Sequence, residues 1–333
     1  MGDMGVVWAA LALAAQFSFS EKPVKKAQAP AELVSVDKIS DRAPHSAFTT
    51  LVRFHERFFL AFREGSDHAS PDGAIRIISS PDTVRWVDQA RLDYPVADLR
   101  DPKLSVMPDG RLMLTAGGAM HPPAEFRFKT FAWYSYDGRV WTPAEVIGEP
   151  NVWLWRIVWH AGKALGFGYG TGDEHFLRVY MTNRDHVFET LNPSAAPGDY
   201  PNESDTVFLP DNTAVCLLRR DGVANTALAG TSRPPYRAWT WQDLGVRIGG
   251  PALVRLPDGR VVAIERLLDG RRRTSLCWLN LETSKLEEFL TLPSSGDTSY
   301  AGVVWYQDLL NISYYSSHEG RPAIYFAKVK LNQ

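Results

Sequence analysis

The sequence predicts an all-β fold, a six-bladed β-propeller whose ring is closed by an N-terminal strand. Three observations predict it. A pivot residue followed by an apolar run recurs six times, at Arg57, Arg111, Lys163, Thr213, Arg260 and Leu309, the first five polar, with spacings of 54, 52, 50, 47 and 49 residues. Each pivot is preceded by another apolar stretch and a turn, as in VMPDGR, FLPDNT and RLPDGR, so each unit contains a β-hairpin. The sixth unit holds only three strand-like runs, at residues 298–305, 309–316 and 322–331, while an alternating segment at 32–39 stands before the first unit. That segment supplies the missing fourth strand and removes the exposed edges of an open array.

Along the chain, residues 1–30 read as a leader. The apolar run from Val6 to Ala15 is followed by a Lys/Pro/Ala-rich stretch to Pro30. The run is too short to span a bilayer, which favours an export signal and a secreted or periplasmic protein without membrane insertion. Asp3 with no Lys or Arg before the run departs from the usual signal pattern. Residues 31–333 read as a single domain, because radial repetition absorbs a length that otherwise suggests two. Within it, Ser80-PDTVRW and Ser135-YDGRVW share the form S-x-D-x-x-x-W. In these, Asp82 and Asp137 cap a turn between outer strands while Trp86 and Trp141 pack between blades, a structural role.

A formal net charge of −2, with no basic run interleaved with aromatics and no GxxxxGK[ST] loop, argues against nucleic-acid binding and nucleotide hydrolysis. Cys216 and Cys277 lie in strands of neighbouring units and read as buried free thiols. No Cys or His spacing suggests a structural metal, and no cofactor is implied. Eleven Trp and 12 Tyr are enough to pack blades and to line a ligand cleft.

The repeats also map a site. In an antiparallel pair the start of the first strand lies beside the end of the second, so both positions from every blade reach one end of the central channel. Six residues beyond the pivots stand Arg63, Gly117, Tyr169, Arg219, Arg266 and Tyr315. At the starts of the first strands stand His45, Arg100 with Asp101, Trp153 to Arg156, Glu203, Gly250 and Tyr300. One rim therefore gathers arginines, carboxylates, a histidine and tyrosines. The opposite rim receives Pro-Asp-Gly and Pro-Asp-Asn turns.

Asn202-Glu203 opening a strand, Arg219 ending the next, Arg266 at the same place one blade later and Tyr300 in Asp297-TSY resemble the sialidase superfamily. The S-x-D-x-x-x-W turns resemble its Asp-box (BNR) repeats. The likeness extends over nearly the whole propeller. It implies an exo-glycosidase in which a tyrosine (here Tyr300) is the nucleophile, a glutamate (Glu203) its base, and arginines (Arg219, Arg266) hold the substrate carboxylate. An aspartate on a mobile loop is the acid/base. The loop Glu64-GSDHASPDG offers Asp67, His68 and Asp72 for that role, with Asp72 ranked first because it precedes Gly73 and Arg76 near the return strand. As a plain reading, Pro71-Asp72-Gly73 is a turn.

The chemistry explains the set. A 2-keto sugar acid carries a carboxylate on the carbon under attack, so a carboxylate nucleophile meets like charge, whereas a neutral phenol does not. A phenol titrates near ~10 and needs a neighbouring base. Sialidases depart in this way from the two-carboxylate glycosidase scheme. Arg219 and Arg266 offer forked hydrogen bonds to an anion, the alternative being that they pair with rim acids such as Glu203 and Asp101. Where the family has its first arginine, this chain has His45-Ser46-Ala47-Phe48. Arg63 is the substitute expected from the same blade, and the change leaves the sugar open. Asp101, Arg156, Tyr169, Tyr315 and His68 complete the expected pocket. Two other readings fit the scaffold: a glycan-binding propeller without turnover, and a lyase or inverting glycosidase using Asp72 and Glu203.

Overall fold

The computed structural model describes residues 30–183 and 187–332, together with Met1. The leader expected at 1–30 falls almost entirely outside the described residues. Those residues form 24 strands in six four-stranded antiparallel sheets, and among them no helix is long and apolar enough to cross a membrane.

The innermost strands are His45–Phe54, Ala97–Val106, Val152–His160, Pro201–Phe208, Ile248–Arg255 and Thr298–Tyr306. Each pairs with a second strand that begins at or just after a pivot: Arg57–Gly65, Leu112–Met120, Lys163–Gly170, Ala214–Arg220, Val261–Leu267 and Leu309–Ser316. The last blade is completed by Ala31–Ser40, which runs antiparallel to Ala323–Leu331 with Glu32 opposite Lys330 and Lys38 opposite Tyr325. The ring is thus closed between the chain ends, as the incomplete sixth repeat predicts.

Successive side chains of a strand point to opposite faces, so the continuous apolar runs of the inner strands make both faces of a blade apolar, and the core accordingly lies between blades. Six clusters of buried apolar side chains fill the six interfaces. Ala61, Ile77, Leu99, Leu114 and Phe131 join the first two blades. Leu60 and Phe62 pack with Ile324 and Phe326 across the closure. The two S-x-D-x-x-x-W turns are built alike: Asp82 accepts from the backbone N–H of Val84 and Arg85, Asp137 from those of Arg139 and Val140, and each Trp donates Nε1–H to a carbonyl three residues earlier. Trp86 reaches Phe326 of the sixth blade, at 5.4 Å between ring centroids. Cys216 and Cys277 are buried free thiols.

One feature of every innermost strand positions the site. Two residues are skipped in the pairing near the start of each, between Ala47 and Thr50, Arg100 and Lys103, Leu154 and Ile157, Pro201 and Ser204, Gly249 and Ala252, and Ser299 and Gly302. These are β-bulges, and bulges re-aim side chains. The skipped residues include Phe48, Asp101, Trp155, Glu203, Gly250 and Tyr300, which all meet around the channel mouth. Phe48, Asp101, Gly250 and Tyr300 have positive φ angles of 59°, 51°, 59° and 48°. For three non-glycine residues that backbone is uncommon, and it is held here by the surrounding sheet.

Candidate active site at the channel mouth

Tyr300 sits at the centre. Its phenol donates to Glu203 Oε1 at 2.5 Å and accepts from Arg219 Nη1 at 3.1 Å. Thr49 Oγ1 holds the Tyr300 carbonyl at 2.9 Å. Glu203 is further bound through Oε2 by Arg219 at 2.9 Å and by the Gly250 N–H at 2.8 Å. Gly250 is required here on two counts: its φ is positive, and a Cβ would stand 2.7 Å from the Tyr300 ring. Burial alone would raise the Glu203 carboxyl, but the Arg219 charge and hydrogen bonds from Tyr300, Arg219 and Gly250 outweigh it and bring it below its ordinary value. The Tyr300 phenol moves the other way. Burial and the neighbouring Glu203 charge raise it well above 10, against the opposing pull of Arg219 and Arg266. The resting pair is a neutral phenol hydrogen-bonded to a carboxylate.

Arg266 lies over the same ring, with its guanidinium carbon 5.2 Å from the Tyr300 centroid. It donates to the Thr298 carbonyl at 2.8 Å, to Tyr315 Oη at 3.0 Å and to Asp297 Oδ1 at 3.3 Å. Arg219 also pairs with Asp221 at 2.8 Å. Both arginines therefore have rim acids as partners, as the structural alternative held, and both also face the tyrosine. Among the described residues Arg219 Nε is buried without a hydrogen-bond partner, as are Trp155 Nε1, Asp101 Oδ1 and Ser299 Oγ. Such orphaned polar atoms are expected at a site that a polar ligand completes.

Asp101, on its bulge, is buried beside Lys103, 3.8 Å away, and within the field of Glu203. Burial pushes its carboxyl up to about 6, with Glu203 adding to the rise and Lys103 opposing it. Tyr169 lies in the same wall, its ring stacked on Trp153 at 6.1 Å, and burial raises its phenol. Arg156 is deeper, 3.5 Å from Asp205 and donating to the Ala301 carbonyl at 3.3 Å. The Tyr315 phenol donates to Asp297 Oδ1 at 2.6 Å.

Two expectations require correction. Arg63 does not take the place of the missing first arginine. It is fully buried and spends its guanidinium on Asp98, at 3.0 and 2.9 Å, on the Asp67 carbonyl at 2.7 Å and on Ser70 Oγ at 2.9 Å. It braces the loop over residues 66–72 against the second blade. Asp72 is the second correction: its carboxylate accepts from the Ser66 hydroxyl at 2.5 Å and the Ser66 N–H at 3.1 Å. Those bonds, the Ser66 hydroxyl first, hold it far below the usual carboxylate range. Of the loop's three candidates, His68 is the one that turns toward the channel, edge-on to Phe48 at 5.1 Å.

The structure adds Asp297, which the repeat alignment passes over because it precedes the strand. Its Oδ2 lies 3.2 Å from His45 Nε2 and 2.8 Å from His68 Nδ1. Its place three residues before Tyr300, at the rim end of the strand, was the available signal. Burial alone would raise its carboxyl, but hydrogen bonds from His45, His68 and Tyr315 reverse that and drive it far down.

No protein-family model matches the chain, and no curated protein matches it by sequence. Solved structures do. A protein of unknown function from Dyadobacter fermentans superposes with a TM-score of 0.80 at 19% identity, covering 91% of this chain and all of that one. Trypanosoma rangeli sialidase, in complex with 2,3-difluorosialic acid as a covalent intermediate, superposes with a TM-score of 0.67 at 12% identity. The match covers 92% of this chain but 58% of the trypanosome protein. A mutant α-L-arabinofuranosidase from Fusarium graminearum, bound to an iminosugar inhibitor, gives 0.66 at 14% identity, covering 86% and 93%. The fold is therefore that of a sialidase-like propeller, an architecture shared with glycoside hydrolases.

Proposed function

We propose that this chain is a retaining exo-glycosidase of sialidase type, which hydrolyses a terminal sialic acid or a related acidic sugar with Tyr300 as nucleophile. The observation that carries the reading is the 2.5 Å hydrogen bond from the Tyr300 phenol to Glu203, set between two arginines. A buried phenol is a poor nucleophile until its proton has somewhere to go, and Glu203 is an ionised acceptor already in contact. In the first displacement the phenol oxygen bonds to the anomeric carbon as the bond from that carbon to the leaving-group oxygen breaks; the phenol proton passes to Glu203, and the departing oxygen takes a proton from an acid. Asp101, buried on its bulge at the channel mouth, is a carboxyl placed to hold that proton, and burial raises it toward the range in which it can. In the second displacement a water oxygen bonds to the anomeric carbon as the bond to Tyr300 breaks; the phenolate recovers its proton from Glu203 and the acid takes the water's proton, so the product keeps its configuration.

Arg266 and Arg219 supply positive charge beside the reacting centre, suited to a substrate carboxylate and to the phenolate developing on Tyr300. The aromatic wall of Trp153, Trp155, Tyr169 and Phe48 fits a sugar ring. A screen of acidic and neutral glycosides, with the product anomer followed by proton NMR, tests the reading. Release of an acidic sugar with retained configuration supports it. Inversion, an unsaturated product or cleavage of neutral glycosides alone overturns it.

A further inference from the structure

The geometry points to a divalent transition-metal site made by His45, His68 and Asp297, the position at which the first-blade arginine is missing. The three side chains come from distant parts of the chain: the first innermost strand, the loop over residues 66–72 and the approach to the last innermost strand. Their ligand atoms nonetheless lie within 4.8 Å of one another. Two imidazole nitrogens converge on a single carboxylate oxygen, His45 Nε2 at 3.2 Å and His68 Nδ1 at 2.8 Å from Asp297 Oδ2. Donor atoms around a tetrahedral metal with bonds of ~2.0–2.2 Å stand about 3.3–3.6 Å apart. The two contacts to Asp297 Oδ2, at 3.2 and 2.8 Å, reach that spacing by opening less than an ångström.

The remaining contacts hold the donors in place. Asp297 Oδ1 is occupied by Tyr315 Oη at 2.6 Å and Arg266 at 3.3 Å, which leaves Oδ2 turned to the histidines. Outer partners of this kind orient a ligating carboxylate. The His45 side chain is buried, and among the described residues its Nδ1 meets no partner, so its only polar anchor is the shared oxygen. His68 is 55% exposed, which leaves the solvent side open to a water or a substrate oxygen as fourth donor. Two imidazoles and one carboxylate suit Zn2+ or a similar divalent ion better than Ca2+ or Mg2+, which favour all-oxygen sets. If the glycosidase reading holds, the ion adds positive charge beside Arg266 for an acidic substrate, but metal binding itself does not depend on that reading.

The test uses the full chain after dialysis against chelator, titrated with Zn2+ by calorimetry and followed by thermal unfolding. Co2+ serves as a spectroscopic probe of coordination. One equivalent of Zn2+ should bind, raise Tm and, as Co2+, give the visible bands of a low-symmetry site. The His68→Ala and Asp297→Asn variants should bind at least tenfold more weakly. A control at the opposite rim, His160→Ala, should bind as the parent does. No saturable binding, or binding unchanged in His68→Ala, overturns the proposal. Because no substrate is present, that result is separate from any failure to cleave glycosides.

Discussion

Replacing Arg219 by Ala separates two roles that positive charge can have at this site. Arg219 touches both members of the proposed reacting pair, Glu203 at 2.9 Å and Tyr300 at 3.1 Å. It is the strongest opponent of the burial that would otherwise raise Glu203. A hydrogen bond to a charged group contributes about 1.5–3 kcal/mol, which corresponds to about 1–2 pKa units. In the parent, Glu203 lies below its ordinary value, so on this reading its base form persists into the acid range and kcat/KM should be lost only as pH falls through that lowered value. In Arg219→Ala the acid limb should move up by about 1–2 units, and kcat/KM at neutral pH should fall by roughly ten- to more than a hundredfold. Arg266→Ala is the contrast. Its side chain makes no hydrogen bond to Glu203, so the limb should move less while activity on acidic glycosides falls more than on neutral ones. The assay is kcat/KM across pH for both variants. An acid limb in Arg219→Ala that coincides with the parent's would refute the argument that Arg219 keeps Glu203 ionised.

Two further outcomes follow from buried carboxyls. If Asp101 supplies the leaving-group proton, activity should decline above about pH 6, and Asp101→Asn should remove that alkaline decline together with most of the turnover on poor leaving groups; an unchanged profile would exclude it. Glu265 is fully buried, with the Cys277 thiol as its neighbour; burial pushes it up to about 8, against the opposing pull of a hydrogen bond from Cys277. The folded state therefore holds a proton that the unfolded chain releases above ~4.5. Stability falls as pH rises from there to about 8, by about 3 kcal/mol at pH 7. Glu265→Met should flatten this part of the curve and raise stability at pH 7, measured by urea unfolding between pH 4.5 and 8.5.

Much of the architecture is legible in the sequence because blade repetition writes itself as a period, and the short sixth unit announces the closing strand. Tyr300, Glu203, Arg219 and Arg266 are legible for the same reason, since equivalent positions in a radial array share one rim. The bulges are not. Skipping two residues leaves no trace in apolar alternation when the skipped pair is Asp101-Pro102 or Tyr300-Ala301, yet it aims those side chains. Arg63 misleads because its strand position does place it at the rim. What decides its role is a loop folding back over it, with Gly73 so close to Asp98 that a Cβ would stand 1.8 Å from the carboxylate. Asp297 escapes because it lies outside the repeat; His68 is named among the pocket residues, but its pairing with Asp297 is not legible because loop residues carry no register. The triad with His45 exists only once the ring has closed.

The most direct test of the central claim is to trap the nucleophile. The protein is incubated with a fluorinated acidic glycoside bearing a good leaving group, digested and sequenced by mass spectrometry, beside Tyr300→Phe and Glu203→Gln. The account predicts a sugar adduct on Tyr300, slower labelling in Glu203→Gln, and neither label nor turnover in Tyr300→Phe, with substrate binding largely kept. Turnover by Tyr300→Phe at the parent's rate, or an adduct on any other residue, would contradict it.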